Sequence, residues 1–332
     1  MMDFSSDTSA PAHPSVIEAL AAVNSGGAAS YGNDAVTAQL RSVLARVFET
    51  DDFEFWMCAS GTAANALALS CFCPSTGSIL CHREAHIERD ERGAPEFFSG
   101  GGKLALLDGE GARIDEHALR EALARINPDF VHETPAHVLS LTNLTECGTA
   151  YPVSQITHFA ALAHEAGLAV HLDGARFANA LVSQGASPAE MSWKAGVDVL
   201  TFGLTKTGAI GCEIIMLFGE ARKKCAELKA RAKRSGHMPP KMRFIAAQAL
   251  AMLEGDLWLS LAEAANGRAH DLSNALCAIA GTKLVWPVDG NEVFVELAPG
   301  MAKRLLDGGA TFYPWPGGQE RYRLVCSWMT SQ

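Results

Sequence analysis

Between residues 36 and 235, short β-rich runs alternate with amphipathic helical runs, and this alternation constrains the fold more than any other feature of the chain. Strands separated by helices pair in parallel only through crossovers that lay each helix on a face of the sheet. The expectation from this pattern is a layered α/β fold. Helices are predicted over residues 36–49, 63–73, 115–125 and 155–166, the first with apolar Leu40, Val43, Leu44 and Val47 on one face. The pair Asn127-Pro128 closes the third, because a residue before proline avoids helical angles. Strands are predicted over 53–58, 79–81, 103–107, 138–141, 168–172, 197–202 and 213–218, and a long basic helix with a solvated face over 220–234. After Met238-Pro239-Pro240 the pattern changes to helices over 241–253 and 257–280 and strands over 293–297 and 323–326. A smaller C-terminal α+β domain is therefore expected, with 1–244 as the large domain and 245–332 as the small one.

Composition narrows the function. With 27 basic and 37 acidic residues the net charge is −10, which argues against nucleic acid as a partner, since phosphate binding needs a basic face. No apolar run approaches the roughly 18 residues of a membrane span, and the N-terminus lacks the basic start and apolar stretch of a secretory signal. Nine cysteines, an odd number without a C-x-x-C pair, read as free thiols in a reduced cytoplasm, with no metal site.

Three constellations carry chemistry. Ala59-Ser60-Gly61-Thr62 follows a strand and opens a helix, so its N–H groups could cradle a phosphate; the plainer reading is a Ser/Thr helix cap. His171-Leu172-Asp173-Gly174-Ala175-Arg176 ends an apolar strand, where ligands of open α/β sheets collect. Asp173 there could be a metal ligand, a base or a partner for a protonated ring nitrogen. Arg176 could fork onto a carboxylate or phosphate, or the two could form an internal ion pair. Gly203-Leu204-Thr205-Lys206-Thr207-Gly208 sets one lysine just past a buried strand. Desolvation there would free its amine for Schiff-base chemistry, although a lone loop lysine is more often merely exposed. Together the three match what pyridoxal phosphate needs: a phosphate anchor, a pyridinium partner and an imine. His86 could stack on a flat ring or move protons, or be structural, and His132 has the same standing. Arg323 could fork onto a substrate carboxylate.

In order along the chain stand Ser5-Ser6-Asp7-Thr8, Tyr31-Gly32-Asn33-Asp34, Ser60-Gly61-Thr62, His86-Ile87, Asp173-Gly174-Ala175-Arg176, Thr205-Lys206, Lys241-Met242-Arg243-Phe244 and Cys326-Ser327-Trp328. This ordered set resembles the L-threonine aldolases, especially the bacterial low-specificity type, of the aspartate-aminotransferase-like pyridoxal-phosphate fold (fold type I), which implies an α/β large domain with a mostly parallel central sheet in three layers plus a smaller C-terminal α+β domain. The resemblance implies pyridoxal 5′-phosphate as cofactor, held by Lys206 as a Schiff base, by Asp173 at the pyridine nitrogen and by Ser60, Gly61 and Thr62 at the phosphate. It implies His86 on the ring face, Arg176 and Arg323, helped by Ser6, at the substrate carboxylate, and Tyr31 in the substrate site. Arg176 would also be in reach of the cofactor, Arg243 and Lys233 would reach the phosphate from a neighbouring subunit, and His132 would stand near the substrate hydroxyl. The implied activity is cleavage of L-threonine, L-allo-threonine or L-phenylserine to glycine and an aldehyde by a cytoplasmic homotetramer with shared sites. Alternatives on the same fold are β-elimination, racemisation or a non-catalytic cofactor binder. Two departures stand out: Thr142-Asn143-Leu144-Thr145-Glu146 replaces a Glu-Asn-Thr-His-Asn loop, and the segment from Gly236 to Arg243 replaces Gly-Gly-Gly-Met-Arg.

Overall fold

The computed structural model describes residues 2–127 and 129–331, so Pro128 lies outside the described residues. The strands are β1 (Met2–Asp3), β2 (Phe53–Cys58), β3 (Ser78–His82), β4 (Lys103–Leu107), β5 (Ala136–Thr142), β6 (Ala169–Gly174) and β7 (Val199–Gly203). They continue as β8 (Glu213–Phe218), β9 (Lys283–Leu284), β10 (Glu292–Glu296), β11 (Ala310–Thr311), β12 (Tyr313–Pro314) and β13 (Arg321–Val325). The helices are α1 (Pro14–Val23), α2 (Ala35–Val47), α3 (Gly61–Ser70), α4 (His86–Arg89), α5 (Ala94–Ser99) and α6 (Glu116–Ala124). They continue as α7 (Val153–Glu165), α8 (Phe177–Gln184), α9 (Cys225–Arg234), α10 (Arg243–Leu253), α11 (Leu257–Cys277) and α12 (Met301–Asp307).

Seven strands form one sheet in the order β2-β8-β7-β6-β5-β3-β4. Strands β7, β6, β5, β3 and β4 pair in parallel, and β8 runs antiparallel to both β7 and β2. Hence β2 points the same way as β7, and β8 alone is reversed. Every residue of β7 and β8 is buried, which requires cover on both faces and gives three layers. Helix α3 packs on β2, β6, β7 and β8, α7 on β5 and β6, and α8 on β6 and β7. An aromatic group anchors the strand before Lys206: Phe202 meets Trp258 at 5.0 Å, Phe48 at 5.6 Å and Phe177 at 5.8 Å between ring centroids.

The expected boundary at 245 is not where the packing divides. Helix α10 packs on α1 and α2, and the main core continues through Trp258 and Ala262. A second core holds Ala269, Leu276, Val293, Val295, Phe312 and Leu324, with Phe4 packed against it. Its four-stranded sheet, β12-β13-β10-β9, is antiparallel, and β1 adds a parallel pairing with β11. The N-terminal residues thus belong with the small unit, a pairing across 308 residues that local pattern does not carry. The stretch Arg243–Cys277 is long and apolar enough to cross a membrane by composition. It is broken at Gly255 and Asp256, whose φ values are 61° and 55°, and α10 is buried in the core. The helix expected over 220–234 opens instead as 3₁₀ turns over Gly219–Lys224 before α9.

Candidate active site

Because β2, β3, β5, β6 and β7 share one direction, their carboxyl ends reach the same edge of the sheet. The reversed β8 brings its first residue, Glu213, to that edge too, paired with Cys58 on one side and Gly203 on the other. The loops after β2, β3, β5, β6 and β7 carry Ser60, His86, Glu146, Arg176 and Lys206. This is the crevice where open α/β sheets bind ligands.

Asp173 lies near the end of β6, 2% exposed. Its Oδ1 accepts from the N–H of Ala175 at 3.0 Å and its Oδ2 from the Asn65 amide at 2.8 Å. The same Asn65 nitrogen donates to Glu91 Oε1 at 2.9 Å. Glu91 Oε1 also meets His86 Nδ1 at 2.8 Å, and the His86 N–H donates to Glu146 Oε1 at 2.6 Å. Burial opposes charge on His86, but the Glu91 hydrogen bond and the nearby Asp173 outweigh it and raise its pKa. Burial raises the pKa of Glu91. Burial and then repulsion from Asp173 raise Glu146 to about 7.

Lys206 sits in the turn after β7 and acts electrostatically on Asp7, His86 and Glu213. Two glycines make that turn fit. A Cβ on Gly203 would come within 2.8 Å of both Glu213 Oε2 and the Ala175 backbone, and Gly208 has a φ of 141°. Glu213 is 4% exposed, and burial raises it to about 7 although Thr205 and Lys206 oppose the shift. At the start of α3, the Ser60 hydroxyl accepts from the N–H of Ala63 at 3.3 Å. The N–H groups of Gly61 and Thr62 have no carbonyl one turn earlier, and the space over the Gly61 Cα is open.

Arg176 is paired within the fold. Its Nε donates to Asp7 Oδ2 at 2.7 Å and its Nη2 to Asp7 Oδ1 at 3.2 Å, while Glu292 stands 3.3 Å from Nη1. It is therefore a buried internal ion pair, and its fork is occupied rather than open to a substrate carboxylate. Burial works against its charge, yet Asp7 and Glu292 hold its pKa above the ordinary value. The partner in that pair is Asp7, not the neighbouring Asp173. Arg323 is held more loosely: Nη2 donates to the Ser5 carbonyl at 3.3 Å, and Glu292 Oε1 lies 3.9 Å from Nη1. Ser6 caps the turn that carries Asp7, its hydroxyl accepting from the N–H of Thr8. Asn291 donates to Asp7 Oδ2 at 3.0 Å and to the Cys326 carbonyl at 2.8 Å. Arg321, by contrast, is neutralised by Glu296 at 2.8 Å.

Four expected residues are not joined to this cluster within the chain. His132 is exposed beside Phe130, on the loop that precedes β5. That loop is at the opposite end of the sheet, a strand's length of roughly 20 Å from the crevice. Lys233 stands over the Tyr31 ring at 4.6 Å, and the Tyr31 N–H donates to the Pro240 carbonyl at 3.0 Å. Arg243 begins α10 against Phe244, its Nε covered and without a partner. Among the described residues no hydrogen bond or ion pair links Tyr31, Lys233 or Arg243 to Lys206, Asp173 or Arg176. Conversely, the sequence reading passed over Asn65, Glu91, Glu146, Glu213, Asn291 and Glu292. An acid opening the apolar run Glu213-Ile214-Ile215-Met216 was a usable signal; the others carried none.

The beta-eliminating lyase family model matches residues 3–299. A low specificity L-threonine aldolase of Pseudomonas aeruginosa is 40% identical over 98% of this chain and 93% of its own length. One from another Pseudomonas strain is 39% identical over 99% and 93%. In three dimensions the chain is similar to a threonine aldolase of Leishmania major, with a TM-score of 0.91 at 24% identity, covering 100% of this chain and 95% of that one. A probable N-succinyldiaminopimelate aminotransferase of Thermus thermophilus shares the fold, with a TM-score of 0.72 over 98% and 90%.

Proposed function

The chain belongs to the beta-eliminating lyase family, and from that premise we propose that it is a low-specificity L-threonine aldolase, cleaving L-threonine and L-allo-threonine to glycine and acetaldehyde. The near-full-length identity with the Pseudomonas aeruginosa enzyme carries this reading. The proposed cofactor is pyridoxal 5′-phosphate, which supplies an electron sink for the pair released when the Cα–Cβ bond breaks.

The residues at the sheet edge suit that group. Each Asp173 oxygen accepts one hydrogen bond, so the buried carboxylate has capacity for a ring N–H. The open N-terminus of the ten-residue α3 offers Gly61 and Thr62 N–H groups and the Ser60 hydroxyl to a phosphate. Lys206 would hold the cofactor through Nζ, with Glu213 beside it as an acceptor for the amine proton. His86, half-exposed, would cover the ring face. Its Nε2 would take the β-hydroxyl proton, the step that starts cleavage. Arg323 and Ser6 would fix the substrate carboxylate, and this fixing selects which bond at Cα is broken. Arg176 then acts by holding Asp7 and Glu292 in place.

We further propose a homotetramer in a reducing cytoplasm. Tyr31, exposed in the loop between α1 and α2, and the nearby Lys233 and Arg243 would complete a neighbour's site, and the nine free thiols, eight of them buried, fit the compartment. The decisive experiment is product analysis with added cofactor. Acetaldehyde and glycine from L-threonine are expected, and Lys206→Ala should abolish both turnover and the cofactor's yellow colour. Ammonia with a keto acid in their place would assign elimination and reject the aldolase reading.

A further inference from the structure

The His86 ring is gripped from behind. Its Nδ1 lies 2.8 Å from Glu91 Oε1, and the Glu91 side chain has no exposed surface. That oxygen already accepts one proton of the Asn65 amide, whose other proton goes to Asp173 Oδ2. An amide nitrogen has two protons, and both are spent here on carboxylates. Asn65 therefore separates two buried acids that would otherwise repel, and no proton can pass through it. Glu91 Oε2 is covered and has no partner, so all the hydrogen bonding of this carboxylate converges on Oε1.

From this geometry we infer that Glu91 is a positioning residue for the aldol reaction: it keeps a proton on His86 Nδ1 and so leaves Nε2 as the nitrogen that exchanges a proton with the substrate. The inference rests on the aldolase reading for its kinetic consequence, but the pairing itself stands without substrate or cofactor. The charged groups around the ring are Glu91, Asp173 at the end of β6 and Lys206 after β7, with Glu146 from the loop after β5 on the backbone N–H. Of these, Glu91 alone is hydrogen-bonded to the ring among the described residues. A neutral imidazole has one N–H, and a carboxylate at Nδ1 selects the tautomer with a lone pair on Nε2. The same carboxylate favours the charged ring, in line with the raised His86 pKa.

The test uses Glu91→Gln, which keeps the shape and removes the charge. In the cofactor-free protein, the His86 titration followed by NMR of labelled histidine should move to lower pH, with the signal assigned by its loss in His86→Asn. In the holoenzyme the acid limb of kcat should move the same way. The value of kcat should fall about tenfold, part of the roughly 10²–10⁴-fold that a positioned base contributes, while KM stays within about twofold. In a His86→Asn background, Glu91→Gln should change kcat by less than about twofold, because a residue that acts through another has no effect once the other is gone. An unmoved His86 titration overturns the inference, and so does full additivity of the two substitutions. If Glu91→Gln does not fold, Asn65→Ala serves in its place: it removes the competing donor to Oε1, so the His86 titration should move to higher pH, and a shift the other way refutes the pairing. Absence of any threonine cleavage by the native protein would reject the aldolase reading and leave the NMR result to decide the pairing on its own.

Discussion

Asp7→Asn probes the contact that ties the N-terminal segment to the large domain. Asp7 is 2% exposed, accepts both arms of the Arg176 fork and also accepts from Asn291. Replacing one carboxylate oxygen by NH₂ turns one of these acceptors into a donor facing a donor. Breaking a buried ion pair by removing one partner costs about 3–5 kcal/mol. Here Glu292 still faces Arg176 at 3.3 Å, so the arginine is not left without a counter-charge. The lower end, about 3 kcal/mol, is expected, equivalent to a drop of about 5 °C in Tm for a chain of this size. The pH dependence adds a second check. Burial opposes the charge of Asp7, but Arg176 and then Lys206 outweigh it and lower its pKa below 3.8. An acid depressed in the folded state contributes stability above its unfolded pKa and loses it as pH falls through the folded value. Thermal melts of wild type and Asp7→Asn should therefore differ most at pH 5–7 and converge below about pH 4. A Tm within 1 °C of wild type at pH 7, or a gap that widens in acid, would falsify the proposed clamp.

Other substitutions probe neighbouring groups. In the cofactor-free protein Glu213, raised to about 7 by burial, binds a proton in the fold that it sheds on unfolding; it therefore stabilises at low pH, and this is lost as pH rises from the unfolded value of 4.5 through 7. Glu213→Gln should flatten the decline in Tm between pH 5 and 8, and an unchanged pH profile would show that Glu213 is already ionised. Arg323→Lys should raise KM for threonine about tenfold and lower kcat as well, because a point charge does not replace a planar fork that orients the scissile bond; an unchanged KM would remove Arg323 from the substrate carboxylate.

Strand ends were legible because position on a parallel sheet follows from chain direction alone. Once residues 168–172 and 197–202 read as parallel strands, Asp173 and Lys206 had to emerge at one edge. Phe53–Cys58 led to Ser60 on the same logic, although β2 joins the sheet only through the reversed β8. The reversal itself was not legible, since a buried apolar strand reads the same in either direction. Helix α8 was missed because Phe177–Gln184 is short and opens without a side-chain cap. The division between the two hydrophobic cores was not legible for a different reason. Proline-rich punctuation at 238–240 marks a turn, whereas the cores divide within α11, where helical periodicity continues unbroken.

The partners of the arginines explain what sequence spacing could not supply. Asp173 and Arg176 are three residues apart and invite pairing, yet the fold pairs Arg176 with Asp7, 169 positions away. Asp173 instead takes only amide donors, which leaves it free to meet a cationic ring nitrogen. Arg176 and Arg323 face Asp7 and Glu292, so the four charges sum to zero before any substrate enters. An amino acid zwitterion preserves that balance. Its carboxylate would compete with Glu292 for Arg323, where the internal contact is a loose 3.9 Å, and not for Arg176, where Asp7 holds at 2.7 Å. On the proposed reading the weaker-held arginine would take the carboxylate, whereas the family resemblance implied both Arg176 and Arg323 for that role, and the difference lies in the packing around the N-terminal strand.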